Sequence, residues 1–354
     1  MTSNRSARYS PLVQLILARC REFYREPEAV FWSYGFPLLM ATALGFAFRN
    51  KPAEQFAVDL LDATATDPIV ARLIEDKRFK VQLSDETESR RRLRTGVTDL
   101  VVSLRRDNDS LRFDYLFDPT RPASLVARNA ADDALQRAAG RQDVAGASDQ
   151  HYEEPGGRYI DFLVPGLIGM SLMGGGLWGV GFVTVDMRIR KVLKRFLATP
   201  MKKHQFLAGL MASRLLFLIP EVVTLLLFTR FVFGVRNHGS LFAVIVLILI
   251  GASAFAGLGL LVASRAKTIE AVSGLMNLVM LPMWIASGIF FESSRFPDEV
   301  QPVIKALPLT QLINALRAVM LEGHAITSQW PNIVGLVLWG VVSSVIALRW
   351  FRWS

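Results

Sequence analysis

Four stretches of this chain run for about 20 residues without one charged side chain: 30–48, 162–185, 241–264 and 271–291. A helix needs roughly 20 apolar residues to cross about 30 Å of hydrocarbon. A soluble core would instead spread its apolar residues at the helical or strand period. These runs therefore predict membrane-spanning helices. A fifth run, 331–348, is shorter but lies between Trp330 and Trp350, side chains suited to headgroup depth. A sixth span, 206–233, carries Arg214 and Glu221 and is needed to keep the flanking loops on consistent sides. The net charge of +9 would otherwise suggest a nucleic-acid partner. A chain that is 51% hydrophobic with such runs fits a polytopic membrane protein, and the charge then becomes an orientation signal.

Lys and Arg in short loops mark the cytoplasmic side. The tail 1–29 holds five basic and three acidic residues, the loop 186–204 seven basic and one acidic, and the C-terminus adds Arg349 and Arg352. Both termini are expected in the cytoplasm of a bacterial inner membrane, with 30–48 acting as an uncleaved signal anchor. The expected organisation is a tail with an interfacial elbow helix (1–29), a first span (30–48), a soluble insert (49–158) and a second span (159–185). A cytoplasmic loop (186–205), spans at 206–233, 241–264 and 271–291, an outer segment (292–329) and a last span (331–348) follow.

The insert 49–158 carries 18 basic and 20 acidic residues and is expected outside the cytoplasm. Strands are predicted at 56–61, 79–83, 99–104 and 112–117, and helices at 69–75, from Ser84 or Asp85 to Gly96, and at 123–139. The fold class is thus an all-α polytopic membrane protein of six spans with an extracytoplasmic α/β domain inserted between helices 1 and 2. The cluster Arg90, Arg91, Arg92 and Arg94 reads as a solvated helix face, since Glu86 and Glu88 lie within a turn or two; an anionic-ligand site is the alternative.

In the loop DMRIRKVLKRFLATPMKKH, Ile189, Val192, Leu193, Phe196 and Leu197 fall on one helical face, with Arg188, Lys191, Lys194 and Arg195 opposite. Such a basic amphipathic helix either rests on anionic lipid or docks into a cytoplasmic partner. Residues 11–25, apolar at Leu12, Leu15, Ile16 and Phe23, are expected along the inner interface. Residues 296–323 form two amphipathic turns broken at Pro308, too short to span; they are expected to dip into the outer leaflet, with a surface hairpin as the plain alternative. Arg214 and Glu221 share a helix face, but about 10 Å of rise predicts no direct bond between them. They and Asn277 read as bundle hydrogen bonds or as pathway groups. The GxxxG at Gly175 and Gly179 reads as helix packing or dimerisation.

The segment LKRFLATPM, the spans, and SGIFF followed by Phe296-Pro297, Leu307-Pro308-Leu309-Thr310 and Arg317 together resemble the ABC-2 type permeases of ABC transporters, whose loop reads close to LERLLATP. The resemblance covers essentially the whole chain. It implies a permease subunit of an exporter, working as a homodimer or beside a sibling permease, for hydrophobic or amphipathic substrates such as drugs or lipids. It implies that Arg188, Lys191, Lys194, Arg195, Phe196, Leu197, Thr199 and Pro200 form the helix that meets a separate ATPase, and that Pro297, Pro308, Leu309 and Arg317 belong to outer re-entrant helices. ATP and Mg would sit on that partner, because no Gly here precedes a Lys and the GxxxxGK[ST] loop is missing. No cofactor, metal or nucleic acid is expected on this chain; lipid, and a periplasmic adaptor, are further expected partners. The rival reading is a non-transporting complex that signals across the envelope through the outer domain. No GxSxG, HExxH or acidic cluster points to an enzyme.

Overall fold

The computed structural model describes residues 11–48, 55–61, 68–107, 110–142, 145, 157–197 and 203–350. In chain order the elements begin with α1 (Pro11–Arg25) and α2 (Pro27–Ala47), which contains a π-helical turn at Phe31–Gly35. Next come β1 (Phe56–Leu61), α3 (Pro68–Glu75), β2 (Phe79–Leu83), α4 (Glu86–Thr95), β3 (Leu100–Asp107), β4 (Ser110–Phe117) and α5 (Pro122–Ala138). The chain continues with α6 (Tyr159–Ile189), π-helical at Leu177–Phe182, then α7 (Val192–Leu197), α8 (Lys203–Phe233), α9 (Leu241–Arg265) and α10 (Ile269–Ala286). It closes with α11 (Gln301–Ala306), α12 (Pro308–Met320) and α13 (Trp330–Trp350). Two compact units result, Asn50–Tyr152 and the remainder.

In the smaller unit, β1 pairs in parallel with β2 on one side and β3 on the other, while β4 closes the sheet antiparallel to β3. Parallel neighbours require crossover connections, and α3 and α4 supply them. Val58, Leu60, Leu100 and Val102 are fully buried against Leu73, Ala127, Ala131 and Leu135 of the helices. Asp85 caps α4 through the Glu88 amide at 2.7 Å, and Gly96 ends it at φ 75°, a left-handed position where a Cβ would be strained. Buried Asp59 accepts from Arg92 Nε at 2.9 Å and from the Thr98 hydroxyl at 3.2 Å. Arg90 and Arg91 pair with Glu86 and Glu88. Arg90 and Arg91 thus lie on the expected solvated face, whereas Arg92 turns inward to the buried Asp59. Burial, and then a hydrogen bond to Asp132, push the Tyr115 phenol up.

Among the described residues the larger unit holds six helices long and apolar enough to cross a membrane: α2, α6, α8, α9, α10 and α13. Most of α6 is buried, with Leu163, Leu167, Ile168, Leu172 and Met173 closed off from solvent. Apolar side chains gain little by leaving lipid for each other, so close approach has to come from small residues. A Cβ on Gly181 would stand 2.5 Å from the Gly259 carbonyl oxygen, and Gly176 and Gly259 press backbone on backbone; these contacts seat α6 on α9. The fifth span ends earlier than the uncharged run suggests. Helix α10 stops at Ala286, and Gly288, at φ 84°, turns the chain while Ile289 stays in the core.

Helix α12 is no surface hairpin. Pro308 begins it, where a missing N–H costs nothing, and Leu309, Leu312, Ile313, Leu316 and Val319 are fully buried in the main core. Pro297 is exposed before α11. Arg317 is the tie: it donates to the Phe162 carbonyl at 3.3 Å and to the Gly288 carbonyl, with its guanidinium 3.5 Å from the Phe162 ring centroid. It therefore joins α12 to the start of α6 and to the turn after α10.

Candidate functional site

A cavity of about 810 Å³ opens among α1, α2, α6, α8 and α10. Both π-helical turns contribute to its wall, through Trp32 and Ser33 of α2 and through Trp178, Gly179 and Phe182 of α6. An extra residue per turn widens the helix and re-aims its side chains, which is why such turns gather at sites. Trp178 is fixed by its indole N–H, 3.1 Å from Met280 Sδ. Trp284 of α10 lines the same cavity.

At the inner wall Arg214 Nη2 donates to Glu221 Oε2 at 3.0 Å, with the two side chains 13% and 4% exposed. This overturns the expectation that the two stand too far apart. An extended arginine and a glutamate reaching toward it cover the rise that separates their backbones. The guanidinium lies directly on Gly175, and a Cβ at Gly179 would be 3.1 Å from Arg214 Cδ. The two glycines spaced as GxxxG thus make a shelf for an arginine rather than a seam for another helix. Ser171 lies beside the Glu221 carboxylate, without a well-formed hydrogen bond from its buried hydroxyl. Asn277 is exposed on α10 and stands apart from this group.

The basic loop is bent. The expected single helix across Ile189 and Leu193 breaks into the end of α6 and the short α7, hinged at Lys191 with φ 58°. Because of that break Ile189 is 41% exposed while Leu193 is buried. Leu193 packs in a second core with Leu15 of α1, Met187 of α6, Phe206 and Leu210 of α8 and Leu260 of α9. Lys191, Lys194 and Arg195 are exposed. Arg188, expected among the outward charges, turns inward: it donates to the Ala266 carbonyl at 3.0 Å and the Ala263 carbonyl at 3.2 Å, closing the end of α9. The side chains of Phe196 and Leu197, and all of Thr199 and Pro200, lie outside the described residues. Helix α1 rests on protein, not only on lipid. Leu15 sits against Gly209, and Phe23 stacks on Phe217 at 4.3 Å between centroids.

Sequence reasoning did not find the cavity aromatics. One signal was available: Trp178 and Trp284 lie within the apolar runs, whereas membrane tryptophans usually sit at run ends.

Comparison with known proteins adds a family. The model described as ABC-2 family transporter protein matches residues 28–349. The inner membrane transport permease YhhJ of Escherichia coli K12 is 23% identical over 173 residues, 49% of this chain and 46% of that protein. YadH of the same organism, also an inner membrane transport permease, is 29% identical over 45% of this chain and 62% of its own length. The daunorubicin resistance ABC transporter permease protein DrrB1 of Streptomyces coeruleorubidus is 28% identical over 51% of this chain and 62% of its own. The matched part of this chain thus covers about half to three-fifths of these relatives.

Proposed function

The chain belongs to the ABC-2 family of transporter proteins, and from that premise we propose that it is the permease subunit of an ATP-driven exporter in a bacterial inner membrane. Two permease subunits, identical or siblings, form the pathway for hydrophobic or amphipathic substrates, and a separate ATPase binds ATP and Mg. The observation that carries the coupling role is the two-sidedness of α7. Its basic side chains Lys194 and Arg195, with Lys191 at the hinge, face outward, while Leu193 is locked into a core shared by α1, α6, α8 and α9. A partner that pulls on α7 therefore moves four helices. Arg188 adds a second linkage to the end of α9. The ATPase closes on ATP, shifts α7, and biases the bundle between two states that bind substrate differently. On this reading Pro297, Pro308, Leu309 and Arg317 belong to the outer closure, and Arg214 and Glu221 to the wall of the pathway. Asn277, exposed on α10, faces lipid or the second subunit.

Charge reversal at Lys191, Lys194 and Arg195 together is expected to weaken ATPase binding by about 100-fold, with little change in thermal midpoint, because these groups are exposed. Co-purification with the ATPase checks it; undiminished capture removes the coupling assignment. Transport itself is tested in proteoliposomes containing both chains. ATP hydrolysis with no movement of any lipid or drug would remove the exporter reading.

The same reading places the unit Asn50–Tyr152 outside the cytoplasm and α7 inside. In a Cys20→Ser background, cysteines at Arg121 and Lys194 are expected to react with an impermeant maleimide from opposite faces of the membrane. Labelling from one face overturns the six-span orientation.

A further inference from the structure

We infer that the cavity among α1, α2, α6, α8 and α10 binds hydrophobic organic cations: molecules with a positive charge carried on or beside an aromatic frame. This deepens the permease reading and rests on it for its biological purpose, though not for the binding itself. The size fits a drug-like ligand, at about 810 Å³. Three of the seven tryptophans, Trp32, Trp178 and Trp284, line it, together with Phe23, Phe182 and Phe217. Their ring faces attract cations, and more strongly where water is scarce.

The charges in the wall favour the same sign. Its three arginines are each bound to a carboxylate of the same wall: Arg19 to Glu22 at 2.6 Å, Arg190 to Asp186 at 2.8 Å and Arg214 to Glu221 at 3.0 Å. Each positive charge in the wall is thus balanced by a neighbouring carboxylate. Glu26 is the fourth carboxylate, and among the described residues it has no ion-pair partner. Among the described residues the wall therefore carries one uncompensated negative charge. Ser171 and Glu221 line the cavity as well. Aromatic faces and a surplus carboxylate both select for a cation over an anion of the same shape.

Tetraphenylphosphonium and tetraphenylborate are such a pair, alike in size and opposite in charge. Equilibrium dialysis of radiolabelled tetraphenylphosphonium against the purified full chain in detergent, corrected for empty micelles, should show saturable binding of one probe per chain. Tetraphenylborate, dialysed in a separate cell because the two ions precipitate together, should show no saturable binding. Glu26→Gln, an exposed and structurally mild change, should weaken binding about 3-fold, and Trp178→Ala about 10-fold. Trp284→Phe, which keeps a ring, should lose less than Trp284→Ala, and Trp330→Phe, outside the cavity, nothing. Binding no greater than that of empty micelles, saturable binding of tetraphenylborate at similar affinity, or unchanged affinity in both Glu26→Gln and Trp284→Ala overturns the inference. The ATPase is absent from this experiment. A chain that transports in proteoliposomes but fails here loses only the cation site, and one that binds here but never transports loses only the permease reading.

Discussion

Glu221→Ala is expected to cost about 3–5 kcal/mol, because it leaves the Arg214 guanidinium buried without its counter-charge. The pair stands in a wall where Glu221 is 5% exposed and Arg214 rests on the backbone of Gly175 and Gly179. The arginine has no room to follow its charge elsewhere without leaving that shelf. Removing both charges is a different experiment. Arg214→Leu combined with Glu221→Leu replaces the pair with apolar atoms of similar reach, and double apolar replacement of a buried ion pair is often neutral or stabilising. The order expected is therefore Glu221→Ala well below the wild type, with the double leucine variant near it. Thermal midpoints in detergent, without ligand, decide this, and Glu221→Ala should melt roughly 10 °C lower. A double variant as unstable as the single one would mean that the pair does more than neutralise itself, and an unshifted single variant would mean that water reaches Arg214 freely.

The six spans were legible because a bilayer imposes a length, and an uncharged run of that length has few other uses. Their ends were less so. Helix α6 runs on past the uncharged stretch, which Asp186 ends, to Ile189: Asp186 pairs with Arg190, and Arg188 folds back onto the carbonyls that end α9. Helix α10 ends before the apolar run does, since Ile289 can be buried from a turn as well as from a helix. In the α/β unit, turn chemistry carried the boundaries: Asp85 and Gly96 bracket α4 where a cap and a left-handed residue are needed. The site was harder to read. A lysine at positive φ has no signature, so the break at Lys191 was invisible and Ile189 was placed on the wrong face. The Arg214–Glu221 bond depends on side-chain reach, which spacing along a helix does not report. The glycines showed where something comes close to α6, but not whether it is a helix, as at Gly176, or a guanidinium, as at Gly175.

That distinction gives the second large effect, because the glycines of this chain should respond in opposite directions to an added side chain. At Gly259 the space for a side chain is occupied by the Gly176 carbonyl and the Leu177 backbone. Backbone held in two buried helices cannot yield as a flexible side chain does, so Gly259→Val must push α9 away from α6 along the contact that joins them. The cost expected is at least about 3 kcal/mol, the upper range for overpacking a core. Separation there also loosens the wall that carries Trp178, so the variant that does fold should bind any cavity ligand less well. Gly274, in the middle of α10, has nothing within 4 Å of an added Cβ. Gly274→Ala removes backbone freedom from the unfolded chain without a clash, and is expected to gain about 0.5–1 kcal/mol. Heating both variants in detergent and measuring the monodisperse fraction by gel filtration separates them. Equal stability would place the α6–α9 contact outside the set that determines the fold, and the close approach of Gly176 to Gly259 would then have to be one the helices can surrender without loss.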